Sequence, residues 1–500
     1  MNFDNVFANL QKVLTYDPSS PIIFSSGLFL VLFVCFSLIY YMLRNRDTAR
    51  ILFVTAFSYY FYYKSSGLCF LLLAAVTVSD YVIAHFIWKA KTAGWDRRTP
   101  KLLLVLSLVI DLGFLFYFKY TNFFAGMIAD ILGNNFQPWD IFLPVGISFF
   151  TFQSLSYTID VYRGRLQPLT RLIDYAFYIS FFPQLVAGPI VRASDFAPQI
   201  RRKLNVSDSM IARGVFMIVV GLFKKAVISD YISLNFVDRI FENPSLYTGF
   251  ENLLGLYGYA LQIYCDFSGY SDMAIGIALL LGFHFPKNFD APFKSSGIGE
   301  FWHRWHISLS SWIKDYVYIF WMGGNRKGKR RTYVNLVSSM LLCGLWHGAS
   351  LNFVIWGGIH GLAVAGQKFL SAEVFKHPKH YVSTGFRKYM GMFLTFQFVA
   401  FTFMIFRMPT WQGVGDMCTQ IFCNFHPELM LQVLVSYKYV FLIILFGYVT
   451  HFVPDSWCDK ATVVLKKGGM LVQVFLILAV IYVVMQVKSS EIQPFIYFQF

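Results

Sequence analysis

"MLVQVFLILAVIYVVMQV", residues 470–487, runs for eighteen positions without a single charge. As an α-helix it would reach about 27 Å at 1.5 Å per residue, close to the roughly 30 Å hydrocarbon core of a bilayer. Lys466, Lys467 and Lys488 stand at its ends. A segment with this length and this charge placement reads as a spanning helix. Residues 22–43, 68–88, 102–119, 210–229, 388–406 and 437–453 read the same way. The chain has 500 residues, 56% of them hydrophobic and only 14% charged. Soluble domains carry about 25% charged residues. A β-barrel would show short alternating segments instead. No hydrophilic stretch is long enough for a soluble domain. The expectation is an all-α polytopic membrane protein, one membrane domain over residues 1–500.

The formal net charge is +15. The bases sit in short clusters at segment ends, so they read as topology signals and headgroup contacts, with no nucleic-acid partner. Arg44, Arg46 and Arg50 follow the first span and place that end in the cytoplasm, with the N-terminus outside. Further inside clusters lie at 89–101, 163–171, 201–203, 323–333, 376–388 and 460–467. Threading spans between them gives about twelve crossings, with the C-terminus outside. The segment 173–191 has basic clusters at both ends and Pro183, Gly188 and Pro189 within it. It is expected to enter and return, which only a protein-lined or watery surrounding tolerates. The seven cysteines are scattered, without a disulfide framework, although a Cys418–Cys423 bridge is conceivable. The N-terminal twenty residues lack the basic and small-residue features of a cleaved signal. No internal repeat of the transporter kind is visible.

The densest polar and aromatic stretch is "NFDAPFKSSGIGEFWHRWHISLSSWIKDYVYI", residues 288–319. A spanning helix would not carry its many charges, each costing about 2.5–3.5 kcal/mol at the bilayer centre. The region 288–322 is read as a cytoplasmic interfacial helix with Trp302, Trp305 and Trp312 as anchors, or as a second re-entrant element. Glu300, His303 and His306 are spaced E-x-x-H-x-x-H, but no second copy or further ligand completes a metal site, so none is expected.

"LLCGLWHGASLNFVIWGGIHG", residues 341–361, places His347 and His360 in a run without charge. From about Asn335 to Trp346 a helix would cover only about 18 Å. "HGAS" then turns the chain, so His347 is expected at a break inside the membrane. An intramembrane ionisable residue is a functional candidate by default, and a neutral imidazole in a dry site is a competent general base. The other reading is a histidine bonded to a neighbouring carbonyl. His360, beside Gly361, reads as a packing residue.

Several stretches resemble the membrane-bound O-acyltransferase family, in its bacterial branch of alginate O-acetyltransferase type. They are "FLPVGISFFTFQSLSYTIDVYRG" (142–164), "FYISFFPQLVAGPIVRASDFAPQI" (177–200), "YCDFSGYSDMAIGIALLLGFHFPKNFDAPF" (264–293), "FWHRWHISLSSWIKDYVYI" (301–319) and "CGLWHGASLNFVIWGGIHG" (343–361). The family's two hallmark histidines map onto His306 and His347, and the second position is the catalytic one in the family. The resemblance implies a ring of about 11–12 transmembrane helices with re-entrant segments around a thinned centre, and funnels on both faces. Gly188, Pro189, Gly357 and Gly358 would allow close backbone approach there. Phe320 and Trp321 depart from the simpler apolar lead expected before "GGNR", which could alter the donor's route.

The activity implied is transfer of an acetyl group from cytoplasmic acetyl-CoA, as donor substrate, toward O-acetylation of an extracytoplasmic polysaccharide such as alginate. The implied location is the bacterial cytoplasmic (inner) membrane. His347 would be the base and His306 would help shape or polarise the thioester end. Lys294, Arg304 and Arg326 would attract donor phosphates. The implied partner is an extracytoplasmic esterase-like acetyltransferase with a Ser-His-Asp site. The tail 489–500, "SEIQPFIYFQF" with its preceding serine, is aromatic and either anchors at the membrane surface or folds back. In the second case Tyr497 would carry the acyl group, since similar "F-x-Y-x-F"-like tails accompany this branch. The alternatives are a D-alanyl transferase of the teichoic-acid type, whose members tend to be shorter, a secondary transporter, or a scaffold for a secretion complex.

Overall fold

The computed structural model describes residues 13–18, 21–326, 328–378 and 383–487. The tail with Tyr497 lies outside the described residues. Of the described residues 78% are helical, and no strand occurs among them. Among the described residues, four helical stretches are each long and apolar enough to cross a membrane: Asp47–Thr92, Arg98–Ile131, Gly385–Arg407 and Asp455–Val487. Pro427–Ser436 and Lys438–His451, bent by 89°, pass the same test as a pair. The protein is an all-α polytopic membrane protein.

The main helices are α1 (Gly27–Met42), α2 (Asp47–Ser66), α3 (Phe70–Thr92), α4 (Arg98–Leu115), α5 (Ile147–Arg163), α6 (Leu172–Ser180), α7 (Asp208–Leu222), α8 (Gly249–Leu280), α9 (Ile298–Arg304), α10 (Ile307–Trp312), α11 (Lys329–His347), α12 (Leu351–Phe369), α13 (Gly385–Arg407), α14 (Trp411–Cys423), α15 (Lys438–His451) and α16 (Asp455–Val487). Fewer uninterrupted spans appear than the eleven or twelve crossings expected. Several apolar runs are broken: 22–43 yields the 16-residue α1, and 210–229 passes from α7 into a π-turn at Phe223–Ser229.

Two compact units divide the chain. The first holds Met1–Met210 and Ile277–Pro286. At its centre α5 is buried from Ile147 to Val161, although it carries serines, threonines and Gln153. Those polar groups need partners when water is excluded. Ser154 of α5 donates to Asp80 of α3, and Ser107 of α4 donates to the other oxygen of Asp80 at 2.7 Å. One carboxylate thus ties three helices. Residues 173–191 fold as α6 and a short helix, Phe182–Leu185, and neither piece could cross a bilayer. The ring of Phe182 packs against Phe36 and Phe57, at 5.4 and 5.1 Å between centroids.

The second unit holds Ile211–Gly276 and Lys287–Phe500. α8, with 32 residues, is a spine about 48 Å long. It starts at a capping box: Thr248 N and Oγ1 donate to Glu251 Oε2, and Glu251 N donates back to Thr248 Oγ1. α11 and α12 form a hairpin with almost no space between them. A Cβ at Gly344 would stand 2.1 Å from Phe353 O, and one at Gly357 would stand 2.3 Å from Met340 O. On α16, Met470, Leu471 and Phe475 are more than 70% exposed, a surface suited to lipid rather than water.

One helix boundary needs correction. α11 begins at Lys329, not near Asn335, so it has 19 residues and spans about 28 Å. Lys329, Arg330 and Arg331 are good helix formers and join its first turn rather than a loop. Helix length therefore does not fix the depth of His347. The seven cysteines are all free, in keeping with the lack of a disulfide framework, and Cys418 and Cys423 lie unbridged along the single helix α14.

The Gly344–Gly357 contact generates a stability prediction. Gly344→Ala should destabilise the protein by about 1–3 kcal/mol, because a methyl there meets backbone that cannot move aside. Gly415→Ala in α14, where nothing lies within 4 Å of a new Cβ, should instead be neutral or stabilise by about 0.5–1 kcal/mol. Unfolding followed in lipid nanodiscs separates the two, and equal stability for both variants would contradict the packing argument.

Candidate active site

Residues 288–322 do not make one interfacial helix. Backbone in extended form leads into α9, the chain breaks at Trp305 and His306, and α10 then runs into a π-turn at Ile313–Trp321. Trp302, Trp305 and Trp312 are 8%, 2% and 5% exposed, so they are core residues and not membrane anchors. Phe301 stacks on Trp305 at 5.5 Å, and Phe289 meets Trp305 edge-on at 5.1 Å. Aromatic rings spaced among charges look alike in sequence whether they face lipid or a core.

The break places His306. Its backbone is left-handed, with φ of 41°, which is strained for a residue with a Cβ. The segment just upstream holds it there. Ile307 N donates to Asn288 O at 2.8 Å, and Asp290 N donates to Arg304 O at 2.9 Å. The side chain of Asn288 faces the same break: its Oδ1 lies 3.2 Å from His306 Nδ1, and its Nδ2 donates to Ser271 Oγ of α8 at 3.0 Å. His306 is fully buried, with the ring of Phe267 edge-on at 4.6 Å.

His347 is the last residue of α11 and 2% exposed. Trp356 of α12 and Phe406 of α13 meet its ring edge-on at 5.3 and 5.4 Å. Trp346 is shared: its ring centroid lies 5.8 Å from His306 and 5.1 Å from His347. The fold thus brings the two histidines singled out from the sequence against one shared indole. Gly348 leaves room for this, since a Cβ there would stand 2.1 Å from the ring of Phe353.

His360 is a cross-tie. Trp302 Nε1 donates to its Nδ1 at 3.3 Å, so its Nε2 is the protonated nitrogen and donates to Thr402 Oγ1 at 2.9 Å. α9, α12 and α13 meet at this one ring. Glu300, His303 and His306 do not converge: His303 is exposed, and Glu300 accepts from Arg304 and Ser296. Among the described residues no group of three or more His, Cys, Asp or Glu side chains is placed to hold a metal.

The three bases expected to meet donor phosphates lie apart from each other in role. Lys294 Nζ donates to Val453 O at 3.1 Å. Arg304 pairs with Glu300 at 2.9 Å and Asp290 at 3.3 Å, and its side chain is 30% exposed. Arg326 is exposed on the turn after Gly323. Lys287 foremost, with Arg304 adding to it, holds the Asp290 carboxyl below its usual range. Burial works against ionisation of Glu300, but hydrogen bonds from Ser296 and Arg304 outweigh it and keep that carboxyl low as well.

Sequence reading missed two features. His451 of α15 accepts from Phe293 N at 3.1 Å through Nε2 and packs on Tyr264 at 4.7 Å. The run 210–229, read as a plain span, contains Lys224 and Lys225. Lys225, 4% exposed, pairs with Asp230 at 2.7 Å and with Asp266 of α8, while Lys224 pairs with Asp272 at 2.7 Å. Two adjacent lysines in an apolar run were the available signal, since charges there need acids facing them.

The profile of the membrane-bound O-acyltransferase family matches residues 113–408, well over half the chain and including both histidines. The chain belongs to the membrane-bound O-acyltransferase family. Its relatives include a "probable alginate O-acetylase AlgI" of Pseudomonas putida, 34% identical over 503 residues that cover 96% of this chain and 100% of the relative. The protein of the same name from Pseudomonas aeruginosa is 42% identical over 358 residues, 70% of this chain and 67% of that one. A peptidoglycan O-acetyltransferase of Helicobacter pylori is 36% identical over 362 residues, 67% of each chain. Less similar is a teichoic acid D-alanyltransferase of Bacillus subtilis, 32% identical over 54% of this chain and 70% of its own. The protein is thus an O-acyltransferase of a membrane-bound family. His306 and His347 lie in the matched region.

The Lys225 pairing makes a prediction that separates structure from catalysis. Lys225→Met should leave Asp266 buried without its cation and cost about 3–5 kcal/mol. The double change Lys225→Met with Asp266→Leu should recover most of that loss. Unfolding of the two variants in nanodiscs checks this, and a double variant no better than the single one would refute it.

Proposed function

We propose that the protein moves an acetyl group from cytoplasmic acetyl-CoA across the bacterial inner membrane toward O-acetylation of an extracytoplasmic polysaccharide such as alginate. The observation that carries this reading is the placement of His347 at the end of α11, enclosed by Trp346, Trp356 and Phe406. The resemblance marks the same position as catalytic. An attacking hydroxyl forms a C–O bond to the thioester carbonyl while the C–S bond breaks. His347 takes the hydroxyl proton and returns it to the leaving thiolate, so CoA departs as the thiol. His306 shapes the thioester end. Lys294, Arg304 and Arg326 are the candidates for the donor's phosphates, with Arg326 free of the acidic pairing that engages Arg304.

Tyr497 is the proposed relay. CoA does not cross the membrane, and a bulky polymer does not reach a buried histidine, whereas a tethered hydroxyl can meet the donor and then a partner's serine. A phenol of ordinary pKa near 10 makes an activated ester that can hand its acyl group on. The proposed partner is an esterase-like transferase outside the membrane. The names of the relatives divide over the acceptor, alginate against peptidoglycan, and the teichoic-acid relative supports a second reading with a D-alanyl donor. Reconstituted protein offered labelled acetyl-CoA and carrier-bound D-alanine decides between donors.

His347→Ala should abolish acyl transfer in protein that remains folded and inserted, since Ala carries no helix penalty. Normal turnover by that variant would sink the assignment. His306→Ala should cause a large but incomplete loss, and a change in KM alone would make its role binding. Tyr497→Phe keeps the ring and removes the hydroxyl. Loss of polymer acetylation at normal protein level is expected, and full activity would rule out an obligatory acyl-tyrosine.

A further inference from the structure

We propose that Asn288 is a positioning residue that holds His306 in its Nδ1–H tautomer, so that Nε2 is the nitrogen that accepts. The inference rests on the acyltransferase reading for its consequence, though not for its geometry. An amide oxygen only accepts hydrogen bonds. Asn288 Oδ1 lies 3.2 Å from His306 Nδ1, so that nitrogen must carry the hydrogen. The orientation of the amide is fixed from two further sides. Ser308 N donates to Oδ1 at 3.3 Å and Ser308 Oγ donates to it at 2.9 Å. A flipped amide would face the Ser308 N–H with its own N–H groups. The amide nitrogen is meanwhile occupied by Ser271 Oγ at 3.0 Å.

The backbone makes this arrangement hard to undo. Asn288 O accepts from Ile307 N at 2.8 Å, directly beside the residue whose side chain it orients. His306 holds a left-handed φ of 41° at the break, and both residues are 1% exposed or less. Neither can swing toward solvent. The same unit contains a histidine set the other way. His360 accepts at Nδ1 from Trp302 and donates through Nε2 to Thr402. One buried imidazole therefore has its tautomer set by an acceptor and the other by a donor. For His306 the outcome is a ring that accepts a hydrogen bond at Nε2, while the hydroxyl proton itself goes to His347. The His306 ring does not act as a neutral donor to the thioester carbonyl through that nitrogen.

Nitrogen-15 NMR of histidine-labelled full-length protein in nanodiscs tests this, with His306→Gln identifying the signal. The expected wild-type signature is a protonated Nδ1 and an unprotonated Nε2. Asn288→Leu, close in shape but with no acceptor, should lose that signature, and Asn288→Asp, which still accepts, should restore it. In acyl transfer, Asn288→Leu should lower kcat about 10–100-fold with little change in KM for the donor, and Asn288→Asp should recover part of it. A protonated Nε2 in the wild type overturns the proposal whether or not the Leu variant folds. So does an unchanged tautomer in folded Asn288→Leu, or a kcat that falls only with the folded fraction. A wild-type protein that turns over no acyl donor overturns the acyltransferase reading instead, and the NMR result still decides the tautomer.

Discussion

Breaking a helix in an apolar chain strands carbonyls and amides that lipid cannot satisfy. The pairing of residues 288–290 with 304–307 answers that demand at the break that carries His306. Ile307 N and Arg304 O, which α9 and α10 cannot satisfy across the break, are taken by Asn288 O and Asp290 N. Had α9 and α10 been one helix, His306 would have helical dihedrals and would point elsewhere. The break therefore gives the histidine its left-handed backbone, and the upstream segment makes the break tolerable. Asn288 then serves both demands, with its main chain closing the break and its side chain meeting the ring.

The same rule governs buried charge. An ion removed from water needs a partner and further hydrogen bonds. Lys225 meets it with two aspartates, one on α8, and the buried Asp80 carboxyl accepts from two serine hydroxyls on different helices. These contacts fix which helix faces meet. They act as register devices in interiors that are otherwise built from Phe, Leu and Ile, where many packings have similar energy. His360, clamped between Trp302 and Thr402, does the same with a neutral ring.

What could be read from the sequence follows from this. Apolar length with few charges marked the spans and the all-α class, because lipid imposes that pattern on any spanning helix. A histidine in a charge-free run marked His347, and the resemblance marked His306. The number of uninterrupted spans was not legible, because a π-turn such as Phe223–Ser229 leaves no compositional trace. The start of α11 was misjudged because a basic cluster reads equally as a loop or as an exposed first turn. Asn288 and His451 stayed hidden since their partners stand 18 and 158 residues away. Local pattern carries no signal for a hydrogen bond of that span. The Trp residues of 302–312 were placed in the wrong medium, since amphipathic spacing says that one face is apolar and leaves open what covers it.

The hairpin of α11 and α12 links packing to chemistry through distance alone. Gly344 and Gly357 bring the two backbones so close that no Cβ fits between them. Three residues past Gly344 stands His347, and one residue before Gly357 stands Trp356, whose ring meets that imidazole at 5.3 Å. Any side chain added at the crossing would push α12 outward and carry Trp356 with it. The aromatic wall on that side of His347 is therefore set by the absence of two methyl groups, and a dry surrounding for the imidazole depends on it. Well-packed interiors transmit such displacements instead of absorbing them. Small residues at this crossing thus serve the histidine by setting where Trp356 stands.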